Sequence, residues 1–432
     1  MIEIQVLKMN NLFRGVSNKV GIVKNVFEVL REVDDPRLFY TIAFLSNIYE
    51  NTKSSDEASS GAGFTLSDSI NRTLGEAYER YALDSYEPEN IILKRYKSIK
   101  NEFNTMGPKD LFFFSEEQYS SKKFRFSRFD EDTNIGWVKG FSLFNGEICF
   151  FPAQMIYFGY KIKPNESEIC YSTSSGCAAG KSYLESIIKG IYEVVERDAV
   201  MLTWYKKITH NNINLNSSQS LNNLFKKYFY YPNIEYKLLY AEVGLDIPVI
   251  IGLALDNVNH TCKFNMGAAS NLNPYYAAEK ALLEVGQGRP YLKYLCANTS
   301  SYITELKEIE NFLDSLRFYA HPNNFHYVEF LTQSDHAINF HDIPDRSGNN
   351  IKYDISTLCN LLLKHKCHPY VFDLTPNDLK EIGVFVTRVV ISELVPFSSP
   401  MYPYYGHPRF RISIPNANYS KNYLNNLPHP FP

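Results

Sequence analysis

The 432-residue sequence has no apolar run long enough to cross a bilayer, and no basic start followed by an apolar segment. These absences argue against a membrane protein and predict a cytoplasmic one. Charge is nearly balanced, with a formal net charge of −3 and a pI near 6.4. Such a balance gives no support for bulk electrostatic binding to nucleic acid or to an anionic membrane surface.

Cysteine is sparse and shows no spacing pattern. The seven cysteines are odd in number, scattered, and never spaced as Cys-x-x-Cys. We therefore expect reduced, buried small residues rather than a disulfide framework or a zinc ribbon. The sequence also lacks the Gly-x-x-x-x-Gly-Lys-Ser/Thr loop that cradles phosphates in many nucleotide-binding proteins. A nucleotide site in this chain has to be built from other residues.

The composition is that of a folded protein with a large core, with 44% hydrophobic and 21% charged residues. Strand-like runs alternate with long amphipathic helices, which predicts an α/β (α+β) fold. We divide the chain into a strand-rich N-terminal extension, 1–60, and a main domain, 61–432. The segment 396–432 is rich in Pro and Tyr, and we expect it to be extended because proline lacks an N–H and fixes φ.

The first patterned helix is predicted within 68–86, behind a loop rich in Gly and Ser. Apolar residues recur with the period of a helix, while Glu76, Glu79 and Arg80 of the segment EAYER fall together on the opposite face. By itself, Glu76 with Arg80 could be an ordinary ion pair on a solvated helix, worth roughly 0.2–0.5 kcal/mol.

A second helix is predicted after the small-residue loop at 172–182, and its segment EVVER repeats the Glu-x-x-Glu-Arg order. Glu185, Glu193 and Glu196 line one side of this helix over three turns. Ser182 and Glu185 also have the spacing of a capping box, so Glu185 could simply close the helix N-terminus.

A third helix is predicted to start at Asn273-Pro274, which fit the N-cap and first helical positions. Lys280, Glu284 and Gln287 follow at positions i, i+4 and i+7. Strands, a loop and a helix with acidic or amide groups on its polar face thus occur three times along the chain.

The first two helices carry five carboxylates: Glu76, Glu79, Glu185, Glu193 and Glu196. If the helices converge, these groups cannot tolerate one another without cations. Mg²⁺ is the natural candidate, because it is held by a few carboxylates together with substrate phosphates. Four cationic side chains would then face phosphate oxygens: Arg72, Arg80, Lys181 and Arg197. The combination favours a metal-phosphate site over a solvated surface.

The three motifs resemble those of the YcaO family, from about residue 61 to the end of the chain. The resemblance implies a YcaO-type fold, in which the motif-bearing helices line one cleft for ATP and Mg²⁺ over a β-sheet. It implies Mg²⁺ contacts from Glu76, Glu79, Glu185, Glu193 and Glu196. Arg80 and Arg197 match the arginines that close the two motifs, and Glu284 and Gln287 match a third motif, Glu-x-x-Gln.

The last five residues, PHPFP at 428–432, resemble the tail of YcaO members that make azolines, whose terminal carboxylate reaches the active site. The resemblance implies a catalytic role for Pro432 and an ATP-dependent cyclodehydratase acting on a ribosomally made precursor peptide. A Cys, Ser or Thr side chain attacks the preceding amide, ATP phosphorylates the amide oxygen, and loss of phosphate leaves a thiazoline or oxazoline. The alternative for the tail is a frayed terminus.

Partners are expected from the same resemblance. About sixty residues precede the motif region, too few for the peptide-binding and E1-like domain of fused members, so we expect a separate E1-like partner that binds the leader peptide. A flavin-dependent dehydrogenase is a further candidate partner, and the sequence leaves a homodimer open. Two alternative functions remain, namely a thioamide- or amidine-forming YcaO enzyme and a catalytically inactive peptide-binding scaffold. The tail argues against the first, and the retained acidic residues argue against the second.

Overall fold

The computed structural model describes residues 11–46, 58–258, 262–298, 303–334, 336–414 and 424–431. Within them the strands are β1 Val23–Val29, β2 Phe39–Leu45, β3 Ala58–Gly63, β4 Ile92–Arg95, β5 Asn134–Ser142, β6 Ile148–Pro152, β7 Cys177–Gly180, β8 Asn211–Asn214, β9 Ile234–Tyr240, β10 Val249–Asp256, β11 Phe264–Ser270, β12 Ala337–Asn339, β13 Tyr370–Asp373 and β14 Phe385–Val390. The α-helices are α1 Leu66–Asp84, α2 Tyr96–Ile99, α3 Glu116–Tyr119, α4 Ala153–Ile156, α5 Tyr183–Tyr205, α6 Gln219–Tyr228, α7 Pro274–Asn298, α8 Phe312–Ala320, α9 Ile351–Lys364 and α10 Asn377–Glu381.

These strands form three sheets. The first has the order β1-β2-β3, the second β4-β5-β13-β14-β7 with β6 beside β5, and the third β11-β10-β9-β8-β12. Neighbouring strands are antiparallel except β8 and β12, which are parallel. The predicted α/β class is confirmed.

Each of the three long helices follows a strand of a different sheet and packs back on that sheet. Helix α1 packs on β3, α5 packs on β14 and β7, and α7 packs on β11 and β10. Antiparallel sheets with one covered face need such an amphipathic helix to bury their apolar side chains. The three helices that carry the motifs are therefore held in place by the cores of three separate sheets.

The predicted domain boundary at residue 60 falls inside β3, which pairs along its length with β2. The hydroxyl of Thr41 in β2 hydrogen-bonds those of Ser69 and Thr73 in α1, at 2.8 and 2.6 Å. The first sheet and the first motif helix thus share a buried polar contact. The division into 1–60 and 61–432 stays a prediction.

The C-terminal tail lies extended against the body of the protein between residues 424 and 431. Trp204 Nε1 donates to the carbonyl of Leu427 at 2.9 Å, and the hydroxyls of Tyr319 and Ser315 donate to the carbonyls of Pro428 and His429. Phe431 is 1% exposed. Residues 424–431 are extended, as the proline content predicted, and docked rather than frayed, whereas Pro408–Arg411 of the same segment form a 3-10 helix.

Two predictions from the composition concern the cysteines and membrane-spanning helices. The seven cysteines are buried and form no disulfide, as predicted. Among the described helices, none combines the length and the apolar character that a membrane crossing requires.

Candidate active site

Helices α1 and α5 start in the same way, each directly behind a strand that runs close to the helix N-terminus. Thr65 and Ser182 are the N-caps, and each side chain accepts a hydrogen bond from the backbone N–H three residues on. A Cβ at Gly61 of β3 would lie 2.7 Å from the backbone nitrogen of Thr73, and one at Gly180 of β7 would lie 2.6 Å from that of Ser186. Glycine is required at both places because the strand backbone touches the helix.

The first motif, EAYER, reaches towards the second through Glu79. The Oε1 atom of Glu79 accepts a hydrogen bond from the N–H of Ala179, in the strand that leads into α5, at 2.8 Å. Burial, together with the charges of Glu193 and Glu76, raises the pKa of Glu79 to about 8 in spite of that hydrogen bond. The two Glu-x-x-Glu-Arg segments therefore face a common site, as the family resemblance implied.

The other two charged residues of the first motif pair with each other. Arg80 Nη2 donates to Glu76 Oε1 at 2.7 Å, and Glu76 Oε2 accepts from the N–H of Ser60 at 3.1 Å. Both side chains are about one-third exposed. Glu76 thus ties α1 to β3.

The second motif, EVVER, buries its acids more deeply. Arg197 Nε lies 3.7 Å from Glu196 Oε1 and 4.0 Å from Glu193 Oε1. Glu196 is 1% exposed, and its Oε2 has no hydrogen-bond partner among the described residues. Burial, reinforced by the charge of Glu284, raises the pKa of Glu196 to about 8, and burial also raises the pKa of Glu193.

The third helix, α7, adds a lysine that sequence reasoning did not count as a site residue. Lys280 Nζ lies 3.7 Å from Glu196 Oε2 and 3.5 Å from Glu284 Oε1. Burial alone would lower the pKa of Lys280, but the carboxylates of Glu196 and Glu284 raise it, so the ammonium stays charged. The i, i+4 spacing to Glu284 was visible in the sequence, but the approach of Glu196 from another helix was not.

Gln287 of α7 closes the site against the first sheet. Its Oε1 accepts from the N–H of Ala62 at 3.2 Å, and its Nε2 donates to the carbonyl and the hydroxyl of Ser60, both at 3.1 Å. Glu284 Oε2 accepts from the N–H of Ala268 at 3.3 Å. Backbone groups from all three sheets, in β3, β7 and β11, therefore contact the side chains of the motifs.

Three of the predicted site residues lie towards the edge of the cluster that the three motifs form. Glu185 accepts hydrogen bonds from the N–H of Lys181 at 3.1 Å and from Lys189 Nζ at 2.8 Å. Burial opposes ionisation, but Lys189 and Lys181 hold the pKa of Glu185 below its ordinary value. Lys181 and Arg72 are exposed. The roles predicted for these residues stay predictions.

The C-terminal tail and the second motif come together near Arg197. Its guanidinium lies over the ring of Phe397, 4.6 Å from the ring centre, and the ring of His429 in the tail also packs on Phe397, with ring centres 4.7 Å apart. The tail therefore runs towards the second motif. Pro432, for which a catalytic role was predicted, lies outside the described residues.

The acidic residues fit Mg²⁺ bound together with phosphate rather than a metal centre made by the protein alone. Among the described residues, no three Asp, Glu, His or Cys side chains come together as a ready-made metal centre. The buried acids of the site have raised pKa values, and Glu196 keeps an unbonded oxygen. Such a donor set suits Mg²⁺, which uses a few carboxylates and takes its other ligands from phosphate and water.

Residues 60–395 match the sequence model of the YcaO cyclodehydratases, which bind ATP and Mg²⁺. The chain belongs to the YcaO family. ATP and Mg²⁺ are thus its cofactors, and the predicted class of enzyme, an ATP-dependent cyclodehydratase, is confirmed at the level of the family.

Solved structures confirm the YcaO-type fold. A heterocyclase in complex with substrate and cofactor is similar with a TM-score of 0.75 and 21% identity, covering 99% of this chain and 57% of that chain. YcaO from Methanopyrus kandleri, bound with AMPPCP and Mg²⁺, is similar with a TM-score of 0.62 and 18% identity, covering 92% and 91%. The E. coli microcin synthetase McbBCD complex with pro-MccB17 bound gives a TM-score of 0.58 and 15% identity, covering 94% and 96%. This YcaO chain spans little more than half the length of the heterocyclase.

Proposed function

We propose that this YcaO protein is the cyclodehydratase subunit that converts Cys, Ser or Thr residues of a ribosomally made precursor peptide into thiazolines or oxazolines. The observation that carries the proposal is the docking of the proline-rich tail beside the second motif, through His429, Phe397 and Arg197. A tail held in this way has little conformational entropy left to lose when its end takes part in the reaction.

In this reaction the side-chain sulfur or oxygen bonds to the carbonyl carbon of the preceding residue and gives up its proton. The electrons of the C=O bond move to the oxygen, which takes the γ-phosphoryl group of ATP. The oxygen then leaves as phosphate while the amide nitrogen loses its proton and forms the C=N bond of the ring. Phosphorylation is needed because an amide oxygen is a poor leaving group.

The residues of the site divide this work. ATP is the source of the phosphoryl group, and a bound Mg²⁺ would neutralise its charge; we expect Glu76, Glu79, Glu185, Glu193 and Glu196 to hold the metal. Arg80 and Arg197 would stabilise the charge on the transferring phosphoryl group. When the metal is absent, the positive charge of Lys280 would offset the negative charges of the buried Glu196 and the partly exposed Glu284.

Partner proteins belong to the same proposal. A microcin synthetase of similar fold works as a complex and was solved with pro-MccB17 bound. By analogy, we expect a separate E1-like protein to present the leader peptide to this chain in the cytoplasm. A flavin-dependent dehydrogenase that oxidises the ring, and a homodimer, are further proposals.

Mass spectrometry of the precursor peptide tests the function. The peptide, the E1-like partner and this chain are incubated with Mg-ATP. The proposal expects the peptide to lose one water, and one ADP to be formed, for each cyclised residue. Exchange of oxygen for sulfur in the presence of sulfide would indicate thioamide formation instead. An unchanged peptide, with no Mg-ATP binding by the chain in calorimetry, would favour the scaffold.

A further inference from the structure

Three arginines among the described residues are buried, and only two of them are paired with carboxylates. Arg289, 1% exposed, donates to Asp34 and Asp256 at 2.6 Å each, and Arg409, 8% exposed, donates to both oxygens of Asp198. Arg388, in the middle of β14, is 4% exposed and forms no comparable pair.

The guanidinium of Arg388 is incompletely bonded. Its Nη1 donates to the carbonyl of Ile156 at 3.0 Å, while its Nε is buried and has no hydrogen-bond partner in the part of the chain that the structure describes. A buried cation without a hydrogen-bonded carboxylate costs free energy, and so does a buried N–H without an acceptor. The fold therefore maintains at this place a donor that suits an oxygen of a ligand.

Arg388 lines a pocket beside the second motif. Arg197 and Val194 of α5 form one wall, and the polar side chains of Thr173, Ser175 and Ser392 are set among mostly apolar neighbours. Because Arg197 also contacts Glu193 and Glu196, a group bound in this pocket lies next to the proposed metal-phosphate site. The apolar walls do not suit a hydrated triphosphate, but they suit a peptide segment with one oxygen to be held.

We propose that this pocket binds the acyl group of the reacting amide in the substrate peptide, with Arg388 donating hydrogen bonds to the carbonyl oxygen that becomes phosphorylated. The inference rests on the proposed function and assigns the peptide to one side of Arg197 and the nucleotide to the other. It also predicts that the residue before the cyclised position is accepted best when its side chain is apolar. Donors held at a developing oxyanion in a water-poor site are strong stabilisers of the transition state.

Two capped dipeptides test the proposal without a need for turnover. The first is N-acetyl-leucyl-cysteine amide, and the second replaces the reacting carbonyl by a tetrahedral phosphonamidate that carries the oxyanion charge. Calorimetry with the full chain is expected to show at least about tenfold tighter binding of the phosphonamidate, as for transition-state analogues in general. Arg388→Met should abolish this preference, whereas Arg411→Met, at an exposed arginine, should leave it unchanged.

Two further variants cover the case in which Arg388→Met does not fold. Arg388→Lys keeps the charge but not the planar set of donors, and should lose most of the preference for the phosphonamidate. Met155→Trp fills the pocket from α4 and should prevent both dipeptides from binding while Mg-ATP still binds.

Several results would overturn the proposal. These are no binding of the phosphonamidate by the wild type, an undiminished preference in Arg388→Met, and displacement of the probe by Mg-ATP or by inorganic phosphate. The last result would show that the pocket is a phosphate subsite. Intact probe binding without any loss of water from the precursor peptide would count against the proposed function and not against the pocket.

Discussion

The segments EAYER and EVVER have the same charged residues in the same order, but the protein uses them differently. In the first, Arg80 is bonded to its own Glu76 at 2.7 Å and both side chains are about one-third exposed. In the second, Arg197 lies 3.7–4.0 Å from two acids, and the side chain of Glu196 is almost completely buried. The difference teaches that the first motif anchors the site to β3 through Glu76 and reaches the second sheet through Glu79, while the second motif keeps its arginine close to both of its acids.

The largest effect is expected for the buried acid of the second motif. Glu196→Gln should lower ATP turnover by at least about 100-fold, because loss of groups that support a bound metal already costs 10–100-fold. The same substitution should raise the melting temperature of the metal-free protein, since it removes a buried carboxylate oxygen without a hydrogen-bond partner.

The matched control in the first motif is Glu76→Gln. Its side chain is more exposed and keeps an acceptor oxygen for the N–H of Ser60, so the loss of ATP turnover should be closer to tenfold and the melting temperature nearly unchanged. Equal losses in the two variants would remove the distinction between the motifs.

The arginines provide the next comparison. Arg197→Lys removes the planar guanidinium that lies over Phe397 and contacts two acids. This substitution should lower ATP turnover by about 100-fold. Arg80→Lys keeps a charge that can still pair with Glu76 at i, i+4, and should cost about tenfold or less. Steady-state assays of both variants at saturating ATP measure the ratio, and a larger effect at Arg80 would reverse our assignment.

Undocking the end of the tail should lower ring formation and leave Mg-ATP binding nearly unchanged. Phe431→Ala deletes a ring that is almost fully buried, a change that costs about 3–5 kcal/mol in a protein core. Because only the tail has to undock, we expect azoline formation to fall while Mg-ATP binding stays within about twofold. Peptide mass spectrometry and calorimetry on the same preparation check both parts. An unchanged rate of ring formation would show that the tail is not needed.

Acid should loosen the tail as its buried histidine becomes protonated. Burial lowers the pKa of both His407 and His429 to about 4, and the ring of His429 donates to the carbonyl of Ser398. A histidine whose pKa is lower in the folded state contributes stability above its ordinary pKa near 6.5, and this stability is lost as the pH falls from about 6.5 towards 4.

The two tryptophans allow this small effect to be measured. Trp204 donates to the tail at Leu427, whereas Trp137 lies in β5 and donates to Lys94. In Trp137→Phe, fluorescence from Trp204 should change between pH 6.5 and 4. In Trp204→Phe, the signal from Trp137 should change only at lower pH. Simultaneous changes would mean that the tail has no separate acid transition.

Helix periodicity allowed the site residues of α1, α5 and α7 to be predicted, because each helix has one apolar face and the charged residues are confined to the other. The capping signal at Ser182 and the prolines of the tail were also visible in the sequence. What periodicity could not supply was the distance between helices that are more than one hundred residues apart. The hydrogen bond from Ala179 to Glu79 depends on the second sheet packing beside α1.

Two residues of the site region were missed for the same reason. Arg388 lies in a run of β-branched residues that predicts only a strand, and nothing local shows that its side chain is buried beside α5. Phe397 lies in a Pro- and Ser-rich stretch and becomes informative only when Arg197 lies over its ring.

The central claim, that the two motifs form one Mg-ATP site, is tested most directly by calorimetry with one substitution in each motif. ATP is titrated into wild type, Glu79→Gln, Glu193→Gln and the double variant, with and without Mg²⁺. We predict Mg²⁺-dependent binding of ATP by the wild type and a loss of affinity of at least about tenfold in each single variant. The double variant should bind ATP no more weakly than the weaker-binding single variant, because substitutions of two groups that hold the same ligand do not have additive effects. No Mg²⁺-dependent binding by the wild type, or losses that simply add, would contradict the account.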